Sequence, residues 1–126
     1  MLHLHSTNEK FCYFGRGICQ NKHEAFYDGC LTSANVGVGF NKASCSALAR
    51  VLPNVRGYSY GVIGAVRYCE AHVLPDGDKI TRTAVCQWAG FASAIYQGEV
   101  GASGPVLRTQ RDTSGFYKCF KVNFVS

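Results

Sequence analysis

The chain has 126 residues, of which 47% are hydrophobic, 13% aromatic and 17% charged, and its formal net charge is +5. That length suits one ordinary domain with its own hydrophobic core. The composition excludes a disordered tail and a coiled coil, and no apolar run approaches the roughly 18 residues that a membrane-spanning helix needs. The 13 basic residues are scattered along the chain, so the sequence shows no nucleic-acid-binding motif.

Cysteine is unusually frequent in this chain, with seven residues spread over its whole length. They are Cys12, Cys19, Cys30, Cys45, Cys69, Cys86 and Cys119. No Cys-x-x-Cys pair occurs, so no metal site is expected. The spread favours three disulfides and one unpaired thiol in a secreted protein, and buried free thiols in a cytosolic protein are the alternative. Because the last four lie on separate predicted helices or strands, we expect them to form two bridges, with the odd thiol among the first three.

The chain, residues 1–126, is predicted to form a single domain with a flexible N-terminal tail at residues 1–10. No apolar stretch follows Met1, so we expect a mature form without a signal peptide. Residues 11–18 are aromatic and end in Gly-Arg-Gly, which is typical of a short strand and a turn. Residues 35–40 alternate apolar and small residues, and this period of two predicts a second strand.

Helical periodicity follows at residues 42–52, where the apolar positions recur three and four residues apart. Asn41 or Ser44 can cap this helix, and Pro53 ends it. Residues 56–74 are rich in aromatic and β-branched side chains and predict one long strand, bent or bulged at Gly61 and Gly64. The Pro-Asp-Gly-Asp sequence at residues 75–78 is typical of a turn.

A second helix is predicted after this turn, capped by Thr81 or Thr83. Its apolar stripe consists of Val85, Trp88, Ala89, Ala92 and Ile95. Residues 106–110 and 116–125 predict a hairpin around residues 112–115, with Phe120, Val122 and Phe124 on the core face of its second strand. The order of elements predicts an α+β sandwich, in which two helices pack on a mostly antiparallel sheet of four to five strands stabilised by disulfides.

The acid-base candidates with the most suggestive spacing are Glu70 and His72, which alternate with Tyr68 on one face of a predicted strand. A carboxylate and an imidazole about 7 Å apart can act as general base and acid on a phosphodiester. The competing interpretation is that Glu70 and His72 lie at a solvated strand end. His23 and Glu24, in the polar loop between Cys19 and Cys30, are expected to be a solvated surface pair.

Other catalytic chemistries find less support in the sequence. His3 and His5 lie in the predicted tail, and the phosphate clamp of a nuclease would have to come from Arg16, Arg82, Arg108 or Arg111. A cysteine nucleophile needs an adjacent imidazole, but Cys69 and His72 fall on opposite strand faces. No cofactor-binding motif is present, so no cofactor is expected.

Four cysteine-bearing segments share a pattern with a known class of proteins: the helix Ala-Ser-Cys-Ser-Ala-Leu at 43–48, the strand end Val-Arg-Tyr-Cys at 66–69, the helix start Thr-Ala-Val-Cys-Gln-Trp at 83–88, and the final strand at 119–124. In these segments the chain resembles small cysteine-rich secreted effectors of fungi. Both the avirulence effectors of plant-pathogenic fungi and the killer toxins of smut fungi are similar α/β sandwiches stapled by disulfides.

The resemblance implies a non-enzymatic virulence or avirulence protein that is secreted into the apoplast. It would bind a host protein or a cell-surface component, through exposed loops at residues 20–28 and 98–110. The alternative is a secreted killer toxin or ribonuclease-like cytotoxin that uses Glu70 and His72.

Overall fold

The computed structural model describes residues 9–110 and 116–124, which form eight strands and two α-helices. The strands are β1 (Glu9–Arg16), β2 (Ile18–Gln20), β3 (Asp28–Asn35), β4 (Val55–Ile63), β5 (Val66–Val73), β6 (Ser93–Ile95), β7 (Arg108–Gln110) and β8 (Tyr117–Phe124). The helices are α1 (Lys42–Arg50) and α2 (Lys79–Ala89). Short 3₁₀ turns occupy Val36–Val38 and Gly98–Val100.

Six of these strands form one antiparallel sheet in the order β1-β8-β4-β5-β3-β6. The other two, β2 and β7, pair with each other as a separate antiparallel ribbon. The predicted α+β class with a mostly antiparallel sheet and two helices is therefore confirmed. The predicted size of four to five strands is wrong, since the sheet is larger and a second one accompanies it.

Two layers cover the opposite faces of the large sheet. On one face α1 packs against β4 and β5, and α2 packs against β3 and β6. The main core lies beneath these helices and includes Cys45, Ala49, Tyr58 and Ala71. On the other face, the β2–β7 ribbon packs against β8 and β4, over a smaller core that includes Tyr27 and Val106. Because the β2–β7 ribbon covers this second face, the central strands of the large sheet are buried on both sides.

Three disulfides fasten the large sheet to its covering elements. Cys45–Cys69 ties α1 to β5, Cys30–Cys86 ties β3 to α2, and Cys19–Cys119 ties β2 to β8. The prediction of three bridges and one free thiol is confirmed, and Cys12 is that thiol. The expected pairing of the last four cysteines holds for Cys45 and Cys69 only, because Cys86 and Cys119 reach partners from the first third of the chain.

The first helix begins as the sequence indicates, whereas the second differs. Asn41 accepts a hydrogen bond from the Ser44 N–H, and the Ser44 hydroxyl accepts one from the Asn41 N–H, which completes a capping box. The cap of α2 is Asp78, not Thr81 or Thr83. Trp88 is 73% exposed, because it lies about 200° around the helix from Cys86, whose disulfide fixes the inward face.

Four of the predicted strands are also wrong in their extent or pairing. Residues 35–40 are not a strand; the chain turns after Asn35 into a 3₁₀ helix that ends at Gly39, where φ is +82°. The long strand at 56–74 is a hairpin of β4 and β5, since Gly64 adopts a φ of +61° at its turn. The expected hairpin of the last two strands does not form, because β7 pairs with β2 while β8 pairs with β1 and β4.

The predicted N-terminal tail overlaps β1, which begins at Glu9 and pairs with β8. The rest of the predicted tail, including His3 and His5, lies outside the described residues, as do the predicted turn at 112–115 and Arg111. Strand β8 carries core residues on both faces, because the β2–β7 ribbon covers Cys119 while Phe120 faces the helices.

Mass spectrometry of the unreduced protein tests the cysteine assignment. We expect a mass lower than that of the reduced chain by two hydrogens for each of the three bridges. Alkylation under denaturing, non-reducing conditions should label Cys12 alone. Label on any other cysteine, or a fully reduced mass after purification from an oxidising compartment, would contradict the bridge pattern.

Gly29 in β3 and Gly37 in the following turn offer a matched test of the strand packing. A Cβ at Gly29 would lie 1.7 Å from the Ala71 carbonyl oxygen, whereas one at Gly37 would meet nothing within 4 Å. We expect Gly29→Ala to lower the free energy of unfolding by about 3 kcal/mol or more, and Gly37→Ala to change it by less than about 0.5 kcal/mol. Urea denaturation measures both, and equal effects would show that β3 and β5 do not approach as described.

Candidate functional site

His72 lies in β5 on the sheet face that the β2–β7 ribbon covers. Its side chain is only 2% exposed, and glycines occupy both cross-strand positions beside it, Gly29 in β3 and Gly57 in β4. The ring of Tyr27 stands 5.9 Å from the imidazole, centroid to centroid. The absence of side chains on both neighbours leaves room for the ring, and the tyrosine covers it. His72 is therefore sealed from solvent and does not lie at a solvated strand end.

A hydrogen bond of 2.7 Å joins His72 Nε2 to the Ser59 hydroxyl, which is itself buried. The Ser59 Oγ also accepts a hydrogen bond from the Cys19 N–H at 3.1 Å. No hydrogen-bond partner faces His72 Nδ1 within the part of the chain that the structure describes. A serine nucleophile needs access to substrate and a third group that orients the imidazole. This pair has neither, so it is a structural contact between the sheet and the ribbon.

Burial also decides the charge of this histidine. Removal from water disfavours the imidazolium and lowers the pKa of His72 from 6.5 to about 3. The side chain is neutral at pH 7, and it cannot donate a proton as a general acid there. Substrate could reach it only if the ribbon opened.

Glu70 lies two residues before His72 on the same face and is half-buried. Burial raises the pKa of its carboxyl, and a hydrogen bond with the Tyr117 side chain opposes that shift. The Tyr117 ring also lies 6.5 Å from the ring of Tyr68. The predicted trio of Tyr68, Glu70 and His72 therefore does share a face, but only its first members lie near solvent.

The remaining sequence candidates do not join this group. His23 and Glu24 are exposed, as expected, and the Glu24 carboxylate pairs with Arg108 at 3.7 Å. Arg82 is buried in α2, in an ion pair with Asp76. Because both arginines are paired elsewhere, neither holds a phosphate beside Glu70 and His72, and Arg16 lies on β1, which β8 and β4 separate from β5.

The loops expected to present a variable binding surface are partly buried. Tyr27 and Asp28 belong to the first loop, and both are almost fully buried. The Tyr27 hydroxyl donates to the Gly104 carbonyl at 2.9 Å, and Asp28 Oδ1 accepts from the Gln97 N–H at 2.7 Å. These bonds draw the two loops onto each other and over His72. The two loops therefore cover the small core, and only part of their surface is exposed to a partner.

An open groove of about 500 Å³ lies on the helix side of the large sheet, at the end formed by β1, β8 and β4. We call it the basic aromatic groove. It is lined by three aromatic and three basic side chains: Tyr13, Arg16, Lys42, Tyr60, Lys118 and Phe120. Lys42, at the start of α1, places its Nζ atom 5.2 Å from the centre of the Phe120 ring.

A β-bulge in β1 creates one wall of the groove. Tyr13 pairs with Phe120, but Gly15 then pairs with Cys119, so one extra residue enters the strand between them. In a regular strand, residues three apart point to opposite faces. The bulge brings Arg16 onto the same face as Tyr13, directly opposite Lys118.

The charges of the groove are all of one sign. None of the described residues that line it is acidic. The salt bridges found among the described side chains join Arg82 to Asp76 and Arg108 to Glu24, so neither involves a groove cation. Like charges directly opposite each other in a sheet repel. The repulsion between Arg16 and Lys118 therefore destabilises the pairing of β1 with β8 locally. An anion placed between the two side chains would neutralise this repulsion.

Sequence reasoning missed this groove because its residues come from four separate segments. Lys118 and Phe120 do alternate onto one face of β8, which was the available signal. From the sequence, Arg16 is a candidate only for the phosphate clamp beside Glu70 and His72. Nothing in the spacing of β1 shows that Arg16 and Tyr13 share a face, because the bulge is a tertiary feature.

The described residues form neither a metal-binding cluster nor a membrane-spanning helix. Within residues 9–110 and 116–124, no group of three or more His, Cys, Asp or Glu side chains could hold a metal ion. The helices in the same part of the chain are too short or too polar to cross a membrane. Compared with family models, curated proteins and solved structures, this chain finds no match.

Lowering the pH should weaken the fold through His72. Its pKa is 6.5 in the unfolded chain and about 3 in the native protein, so between those values only the unfolded chain binds the proton. The unfolding free energy should fall by about 2 kcal/mol between pH 7 and pH 5 from this residue alone. Denaturation of the His72→Gln variant, which cannot titrate, should show a pH dependence flatter by that amount.

Glu70 serves as an internal reference for this measurement. Its raised pKa stabilises the protonated form in the native state, so its contribution has the opposite sign and is lost as the pH rises. Because Glu70 is present in both proteins, it cancels in the comparison. Parallel pH profiles for the wild type and His72→Gln would show that the imidazole is not sealed.

Proposed function

We propose that the protein is a secreted, disulfide-stabilised effector of a plant-associated fungus, and that it acts by binding a host target without catalysis. The basic aromatic groove is the proposed binding surface. The observation that carries this proposal is the gathering of three cations and three aromatic rings, with no described acidic side chain among them. The resemblance to avirulence effectors and killer toxins supplies the host and the source in this proposal.

Secretion is supported by the cross-links. All six bridged cysteines are fully buried, and each bridge joins two different elements of the fold. Disulfides of this kind form and persist in oxidising compartments. They also constrain the unfolded chain, which protects a small protein in the protease-rich space outside cells.

Binding is supported by the shape and charge of the groove. Tyr13 is 56% exposed, although aromatic side chains gain free energy by burial, and it flanks the repelling pair Arg16 and Lys118. A partner with negative charge beside an apolar or planar group would bury the ring and neutralise both cations. The net charge of +5 would steer such a partner toward the protein.

The catalytic alternative, a killer toxin or ribonuclease-like cytotoxin, depends on Glu70 and His72. It would require the β2–β7 ribbon to move away, because His72 is buried and neutral. Arg82 and Arg108, two of the cations that this alternative could use, are paired with Asp76 and Glu24 instead. The binding proposal needs no such movement.

Charge reversal in the groove tests the proposal. Labelled protein is added to intact plant cells and to isolated cell walls, and the bound fraction is measured at several salt concentrations. Lys118→Glu should weaken binding about tenfold and remove most of its salt dependence. Lys79→Glu makes the same charge change on an exposed position of α2 outside the groove, and it should bind nearly as the wild type does.

Two results would overturn the proposal. Equal loss of binding in the two variants would show that only net charge matters. Cleavage of RNA by the wild type that is lost in His72→Gln would favour the catalytic alternative instead. Circular dichroism of each variant establishes that the fold is retained before binding is compared.

A further inference from the structure

We propose that the occupant of the basic aromatic groove is single-stranded nucleic acid. This inference rests on the proposed binding function of the groove and names the chemical class of its target. It is carried by the arrangement of cations and rings on an open sheet face, a combination with which proteins hold single strands without reading their sequence.

The cations suit a chain of phosphates. Arg16 and Lys118 lie directly opposite each other on β1 and β8, and Lys42 approaches from the start of α1 across the Phe120 ring. They come from three different elements, so they surround the groove and do not form one point charge. A backbone that carries a charge at every unit can meet all three cations, whereas one carboxylate could meet only part of them.

The aromatic rings suit bases that are not already stacked. Tyr13 is the most exposed of them, and its ring contacts that of Phe120 edge to face, with 5.6 Å between centroids. Phe120 stacks in turn on Tyr58 at 4.8 Å, so the exposed ring rests on a fixed aromatic support. A ring held in this way offers a base a preformed stacking surface. In a duplex the base faces are covered by their neighbours, and a duplex could use the cations alone.

The lining suits single-stranded nucleic acid better than an acidic polysaccharide, because it lacks the polar groups that a sugar chain needs. A sugar chain presents many hydroxyl groups, and buried hydroxyls need partners that both donate and accept hydrogen bonds. The described lining contains no amide, carboxylate, serine or threonine side chain. Among the side chains described for this lining, the two tyrosine hydroxyls are the only neutral polar groups. Phosphates and base faces need cations and rings, which are the groups present.

Fluorescence anisotropy with a labelled oligouridylate of about twelve nucleotides tests the inference, since single-strand sites span about 4–16 nucleotides. With three phosphates neutralised, the logarithm of the binding constant should fall with the logarithm of salt concentration with a slope of about −2. Lys118→Gln should reduce that slope to about −1.4, and Tyr13→Leu should weaken binding about tenfold.

Matched controls isolate the groove from general charge and aromatic content. Tyr96→Leu removes a part-exposed ring from the region beside β6, and Lys79→Gln removes an exposed cation from α2. Both should bind the oligonucleotide as the wild type does. Deoxythymidylate of equal length should bind with similar strength, because the lining has no group placed to read a sugar hydroxyl.

Competition separates failure of this inference from failure of the proposed function. If polygalacturonate displaces the oligonucleotide at equal charge concentration and Tyr13→Leu binds both normally, the nucleic-acid inference is overturned while the groove remains a binding surface. A duplex that binds more tightly than the single strand also overturns it. If groove variants change neither oligonucleotide binding nor attachment to plant cells, both proposals fail. Loss of oligonucleotide binding in Tyr13→Leu and Lys118→Gln, with both controls intact, supports the inference.

Discussion

Three disulfides, each between the large sheet and a different covering element, are the constraint on which the rest of this structure depends. The Cys19–Cys119 bridge closes 100 residues of chain, and a loop of that length corresponds to about 4–5 kcal/mol of unfolded-state entropy. On the helix face, the bridges to α1 and α2 reach β5 and β3, whereas the Cys19–Cys119 bridge holds the β2–β7 ribbon to β8 on the opposite face. The helix face at the end formed by β1 and β8 therefore stays open, and the basic aromatic groove occupies it.

The same arrangement explains why the most chemically suggestive residues are not the most accessible ones. His72 and Ser59 lie beneath the ribbon that the Cys19–Cys119 bridge holds down, and Cys19 itself donates its N–H to Ser59. Their polar contact orders the junction between the two sheets. Residues that look ordinary in the sequence, such as Tyr13 and Lys118, instead meet solvent together.

Local interactions were predictable from the sequence, and tertiary ones were not. The capping box of Asn41 and Ser44 is contained within four residues, and the alternation of β8 follows from its own side chains. The sequence predicts Trp88 on the inward stripe because Val85 and Ala89 lie beside it at helical spacing, but the partner of Cys86 decides which stripe faces inward. The pairing of β7 with β2 depends on a contact between distant segments, and no local pattern encodes it.

The bulge in β1 also bears on how relatives of this chain would be compared. Tyr13 and Arg16 are three residues apart in the sequence, yet both face the groove because one extra residue stands between the Tyr13 and Gly15 pairing positions. In a relative without that extra residue, the aromatic and basic positions would be two apart in a regular strand and would still share this face. A single-residue gap at this point would therefore preserve the groove, whereas a relative of equal length with a regular β1 would turn its arginine to the opposite face.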